Sequence, residues 1–468
     1  MRLNINFDNN LGFKELDPAT CQNTSTANIL HNIYKGLMTY EGNNLVKGTL
    51  NNYLFDKTSN SYTFVLDNSY WSNAKPICSK DFVEAWINVI KKNNFNIQSF
   101  KVIKNVEKYL EGICDETEIG LQILNEKSFK VILENSCPYF LHLTASTPYL
   151  PIPHSMNLRQ IGLISNRDFV IKTRNTNSIV LENLEKTKEI CITCDGNEQS
   201  IHRRFIQKEI QLSDGIPAEY MDFYAKNNLL KYVPEFGTAF LQFNCEELNL
   251  NERIKIDNAI NVEKLMESFI QFKATKKYIP WDFYSEYEIE IEENETATEI
   301  PEAFLKEKSL NLLVNDIEQY TKIAITCKEQ LEKSLNIEVQ LVIVNWEEFT
   351  EKLYKGEFDI ALSGWIGDFF DPISLLNIWE TNSPNNFSKF SDHEFDDLVS
   401  SSQFIESRVS RFNILKLAES ILFEKKTMVP LYNYRLPLLI QDIVSHNFNL
   451  SPLGIFDFNS LTYKNEVL

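Results

Sequence analysis

The chain reads as a mixed α/β protein of two or three lobes, and two observations carry that reading. Strand-like runs alternate with amphipathic helices throughout, the pattern of an α/β fold. At 468 residues the chain is also too long for a single hydrophobic core. Hydrophobic residues at 43% and aromatics at 12% are ample for folded cores.

In chain order, Leu3, Ile5 and Phe7 alternate like a first strand. Ser79 is placed to cap a helix with Phe82, Ala85, Trp86, Val89 and Ile90 on one face. A helix over 317–335 spaces Ile323, Cys327, Leu331 and Leu335, and 337–344 follows as a buried strand. Trp346 opens a helix over 347–353, and Gly356 ends it. The order strand, helix, strand is an ordinary βαβ crossover. Ser391 and Glu394 form a capping box ahead of Phe395, Leu398 and Val399.

The segment 358–372 is the most informative. Phe358, Ile360 and Leu362 alternate as a strand that is expected to stop at Gly364. A helix restarts with Asp371 as N-cap and Pro372 at the first position. Trp365 and Asp368 fall on the bend between them. A strand edge, an aromatic wall and one acid suit an extended peptide held by its backbone and amino end. The competing reading is a buried strand whose acid merely caps the next turn.

Composition excludes several classes. A net charge of −19 argues against nucleic acid or an anionic membrane surface as partner. The acids are densest over 286–299, which reads as a solvated stretch. Only 14 glycines occur, and neither phosphate-loop nor dinucleotide-binding glycine motifs are found. No apolar run reaches the ~18 residues of a spanning helix. Six of the 8 cysteines are scattered singly; Cys191 and Cys194 lie three apart on an alternating run that puts them on opposite faces. The 6 histidines show no ligand spacing, so neither a metal nor another cofactor is expected, and no nucleophile–base–orienter set points to an enzyme.

Five stretches, taken in order, resemble the oligopeptide-binding family, the family 5 solute-binding components of peptide and nickel ABC importers. These are Leu16-Asp17-Pro18 with Ile29 to Leu37; Tyr62 to Leu66 with Tyr70-Trp71-Ser72 and Ser79 to Trp86; the 358–372 segment; Asn386 to Phe390 with Phe395 to Leu398; and Val429-Pro430-Leu431-Tyr432. The resemblance implies a periplasmic-binding-protein-like fold of type II: two lobes around a cleft with an inserted α/β domain. Mapped here, lobe one is 1–34, 158–237 and 440–468, the insertion 35–157, and lobe two 238–439. It implies that Asp368 receives a ligand's α-amino group, that Trp365 and Trp346 wall side-chain pockets, and that the backbone through Ser363 and Gly364 pairs with the ligand. As plain core residues, the two tryptophans would be equally ordinary. Tyr320 and Gln22 occupy further ligand-side positions, where some relatives carry a histidine and a glutamate. Leu362 replaces a usual arginine. Arg167 replaces the glycine of a turn, which would be strained if that turn needs positive φ.

The function implied is an extracytoplasmic binding protein that captures a peptide or related small amine and delivers it to the permease subunits of an ABC transporter, as a monomer. Residues 1–7 are not a signal peptide, so a trimmed leader and a periplasmic or lipoprotein location are expected. Two alternatives stand beside it: a cytoplasmic ligand sensor of the same fold, and a nickel-, haem- or sugar-binding relative.

Overall fold

The computed structural model describes the chain except residues 8–12, 14–15, 22, 155, 157–160, 268, 270–271, 285–308, 446 and 465–468. The acidic run 286–299 and the candidate residue Gln22 therefore lie outside the described residues. Contacts gather the chain into two compact units, Met1–Val233 with Leu436–Leu468, and Pro234–Arg435.

The first unit opens with β1 (Arg2–Phe7), where Leu3, Ile5 and Phe7 are buried as their alternation predicts. Next come the hairpin β2 (Met38–Glu41) and β3 (Asn44–Lys47), then β4 (Leu50–Asp56), β5 (Ser61–Leu66), β6 (Leu121–Asn125) and β7 (Ser128–Ile132). The last four form an antiparallel sheet in the order β4-β5-β7-β6. The helix Ser79–Lys92 packs its aromatic face there, with Phe82 and Trp86 at 5.9 and 5.7 Å from the Phe129 ring. Its cap is Cys78, one residue before the expected Ser79. The unit continues with β8 (Phe169–Arg174), β9 (Ser178–Asn183), β10 (Glu189–Cys194) and β11 (Leu212–Ser213). β1 lies parallel to both β10 and β11. Cys191 and Cys194 do sit on a strand, and none of the 8 cysteines is in a disulfide.

β12 (Leu230–Phe243) leads into the second unit, which adds β13 (Leu310–Asn315), β14 (Val339–Val344) and β15 (Ile360–Ile366) before β16 (Met428–Ile440) leads out. The strand order here is β14-β13-β15-β12-β16. β13 is parallel to β14 and to β15, whereas β12 is antiparallel to β15. Helices Glu318–Leu335 and Trp346–Lys355 make the two crossovers. The strand period of two splits the core between the sheet's faces. Ile323, Cys327 and Leu331 share a buried cluster with Leu312, Val314, Ile360 and Leu362. Phe349 and Leu353 of the second helix cluster with Leu313 and Ala361 on the other face. Burying each such aliphatic side chain contributes ~1.5–3 kcal/mol.

Three local expectations are corrected. The strand expected to be buried over 337–344 is buried only at Val339, because β14 ends the strand order and its outer residues meet solvent. The helix His393–Ser402 is capped by Asp392, whose carboxylate accepts the Phe395 N–H at 3.1 Å, and not by Ser391. β15 does not stop at Gly364 but continues through Trp365 to Ile366, held by the Gly237↔Ile366 and Thr238↔Trp365 pairs.

Candidate functional site

β15 is paired unequally on its two sides. Along one side it runs in register with β12 from Ile360↔Phe243 to Ile366↔Gly237. On the other side β13 pairs only with Ile360 and Ala361. From Leu362 onward, that side of the strand has no sheet partner among the described residues. Backbone N–H and C=O groups on such an edge require partners from outside the sheet.

The side chains of this half-paired stretch divide between the two faces. Leu362 is buried beneath the helix Glu318–Leu335. On the same face, the Tyr434 hydroxyl fills the space where a Gly364 Cβ would stand. That hydroxyl lies 3.1 Å from the Tyr320 hydroxyl. Glycine is thus required at 364 by crowding, which is also why the strand can pass through it. Burial holds the Tyr434 phenol far above its usual range, so it stays neutral as a donor. On the opposite face, Ser363 Oγ accepts from Gln242 Nε2 at 2.6 Å. The indole N–H of half-buried Trp365 is shielded from water and has no hydrogen-bond partner among the described residues.

Trp346 heads its helix, 66% exposed as a residue, with its ring stacked at 5.8 Å on Phe349. Phe349 in turn packs toward the Ala361 face of β15. Tyr320 and Gly364 are therefore brought together on one face. Ser363 and Trp365 lie on the other face, the one covered by Trp346's helix.

The loop after β15 separates two acids. Asp371 is buried, accepts the Ile373 N–H at 3.0 Å and makes a two-pronged pair with Arg411 at 2.7 and 2.8 Å. Pro372, one residue later than expected, holds the N-cap position of the short helix Ile373–Leu376. Asp368 has no hydrogen-bond or ion-pair partner among the described residues. It is open to solvent on one side, yet the protein around it displaces enough water to push its carboxyl up to about 6.

Sequence reasoning missed three participants: Tyr434, Gln242 and Arg411. Tyr434 lies two residues beyond Tyr432 on the same strand, so a period of two would have found it. Arg167 adopts no positive φ. Its guanidinium donates to the His31 carbonyl at 2.6 Å, so the turn accepts arginine without strain.

Comparisons with known proteins agree with this architecture. The family model for bacterial extracellular solute-binding proteins, family 5 (middle), matches residues 56–387. The oligopeptide-binding protein OppA of Bacillus subtilis is 25% identical over 465 residues, covering 90% of this chain and 85% of its own. The periplasmic murein tripeptide-binding protein MppA, in an unliganded open form, superposes with a TM-score of 0.82 at 20% identity, covering 99% of this chain and 97% of its own. Haemophilus influenzae OppA in complex with RPPGFSPFR gives 0.75 at 19% identity, with 99% of each chain covered.

Proposed function

Because the chain belongs to the bacterial extracellular solute-binding proteins of family 5, we propose that it captures a peptide, or a related small amine, and delivers it to the permease subunits of an ABC transporter. The observation that carries the peptide reading is the half-paired edge of β15, which runs out toward Asp368, an acid without a partner among the described residues. An extended ligand laid along 362–366 satisfies that backbone as an added strand, largely without regard to its side chains. Peptide recognition in the relatives' names, OppA of Bacillus subtilis among them, supports the same reading.

In this reading Asp368 receives the ligand's ammonium. Ser363 and Gly364 contribute backbone, Trp365 and Trp346 wall the side-chain subsites, and Tyr320 with Tyr434 lines the opposite face. Residues 35–157, with their own four-stranded sheet, are proposed as the inserted domain. The working compartment is proposed to lie outside the cytoplasmic membrane and the working state to be a monomer. Among the described residues, no helix is long and apolar enough to cross a membrane.

The test is a four-way calorimetric cycle of a tripeptide and its N-acetylated form against wild type and Asp368→Asn. Loss of the charge-assisted contact should cost ~1.5–3 kcal/mol, roughly 10- to 150-fold in Kd. Acetylation should cost wild type a similar amount and the variant little more. Fully additive losses would mean that the acid and the amine do not meet. A carboxyl held at about 6 must ionise to take the ammonium, so binding should strengthen as pH rises from 5 to 7. Near pH 6 it should also release a fraction of a proton, read as a dependence of the binding heat on buffer ionisation enthalpy.

A further inference from the structure

We propose that Cys78, Asp81 and His154, on the first unit, form a binding site for a divalent transition metal of the zinc type. Their ligand atoms lie within 4.8 Å of one another, and among the described residues they are the one such trio. The thiol sulfur stands 3.6 Å from His154 Nδ1, and that nitrogen stands 2.7 Å from Asp81 Oδ1.

The arrangement converges on a point. In a nucleophilic relay, the imidazole is engaged through opposite nitrogens, one toward the nucleophile and one toward the orienting acid. Here sulfur and carboxylate both address the same nitrogen, Nδ1, which cannot serve both as base and as oriented donor. One ion between the three satisfies them together. Zn–S and Zn–N bonds of about 2.3 and 2.0–2.1 Å at a tetrahedral angle set sulfur and nitrogen about 3.6 Å apart, which is the spacing found. The His–Asp separation would widen by roughly 0.7 Å, to the ~3.4 Å of two tetrahedral ligands. Thiolate, imidazole and carboxylate together are a donor set that zinc prefers to calcium or magnesium.

The acid is already fixed for the task. Asp81 is 1% exposed, and its Oδ2 accepts the Trp71 indole N–H and the Cys78 backbone N–H, each at 2.9 Å. Oδ1 accepts the His154 backbone N–H at 2.9 Å as well as the Nδ1 contact. On binding, the metal would take the place of the Nδ1 proton, which moves to Nε2, and of the Cys78 thiol proton, which is released to solvent, while Asp81's other three hydrogen bonds stay in place. Such outer bonds orient metal ligands. The His154 side chain is 42% exposed, which gives the ion a route in and leaves a fourth position for water.

The experiment uses tag-free full-length protein kept reduced without thiols, with Zn²⁺ titrated against a chromogenic chelator. One Zn²⁺ per chain is expected. Cys78→Ser and His154→Ala should each weaken it by at least roughly tenfold. Both variants keep the Asp81 carboxylate that accepts the N-cap backbone N–H, and serine is itself a favoured N-cap residue, so the fold is spared; Asp81→Asn would confuse the two effects. With Co²⁺ as probe, wild type should show thiolate-to-cobalt charge transfer and four-coordinate d–d absorption, the former lost in Cys78→Ser. No stoichiometric Zn²⁺, equal affinity in all three proteins, or a cobalt spectrum lacking the thiolate band would each overturn the proposal.

Discussion

Asp368 and Asp371 are three residues apart and have opposite physical fates. Asp371 is buried in a bidentate ion pair with Arg411, so removing one partner strands a charge away from water. Arg411→Ala should lower stability by ~3–5 kcal/mol in denaturant unfolding. Asp368→Asn should leave stability at pH 7 no lower than in wild type, since among the described residues no hydrogen bond or ion pair uses that charge. The pH profile sharpens the contrast. The Asp368 carboxyl rises from 3.8 to about 6 on folding, so the unfolded chain ionises first and wild type loses stability as pH climbs between those values. The asparagine variant should lack that decline and match the wild-type trend elsewhere; an unchanged profile would mean that Asp368 is not desolvated. The Asp-Pro pair placed the helix start one residue early, since Pro372 and not Asp371 holds the N-cap, but it did mark Asp371 as the carboxylate that takes a helix N–H, that of Ile373. Arg411 was not legible, because it stands 40 residues away on the helix Arg408–Glu424 and only the fold brings it near.

At the scale of the element, β15 shows where pattern reading succeeds and where it stops. Alternation located the strand, and Gly364 wrongly marked its end, because glycine in a strand signals either a break or a close approach. Close approach is what occurs, with the Tyr434 hydroxyl lying over the missing Cβ. Gly364→Ala should therefore destabilise by ~1–3 kcal/mol through overpacking. The loss should be partly recovered when combined with Tyr434→Phe, a coupling that chemical denaturation of the double mutant measures. Equal losses with and without the hydroxyl would refute crowding as the cause. The parting of β13 from β15 after Ala361, which leaves the edge open while β13 runs on to Asn315 beside β14, has no signature in local sequence at all. It depends on the course of a strand some 50 residues earlier, which stays with β14 as it leaves β15.

At the scale of the molecule, the two units differ in how the chain builds them. The division into lobes was legible through resemblance to a family; no Pro- or Ser-rich linker marks it in the sequence. The second unit is one uninterrupted stretch, Pro234–Arg435, whereas the first needs both chain ends. Its closing segment is held by buried amides of the helix Thr24–Ile33. Asn28 bonds to the backbone of Gly454 and Phe456, and Asn32 to that of Phe456 and Phe458. The Lys188 ammonium adds bonds to the carbonyls of Phe458, Asn459 and Leu461. Deleting residues 441–468 should strip hydrogen-exchange protection from β1, β10 and that helix while β13 and β15 keep theirs. Uniform loss across both units would contradict independent cores.

That topology also sets a timetable for a chain made from its N-terminus at ~5–20 residues per second. When residue 435 leaves the ribosome, everything the second unit requires is present, while the first still lacks its last strand half and closing segment. The earlier-made unit is the later to finish. Through that interval the apolar surfaces that its closing segment covers stay unsealed, so the span between residue 435 and the chain's end is when the first unit is most exposed to misassociation.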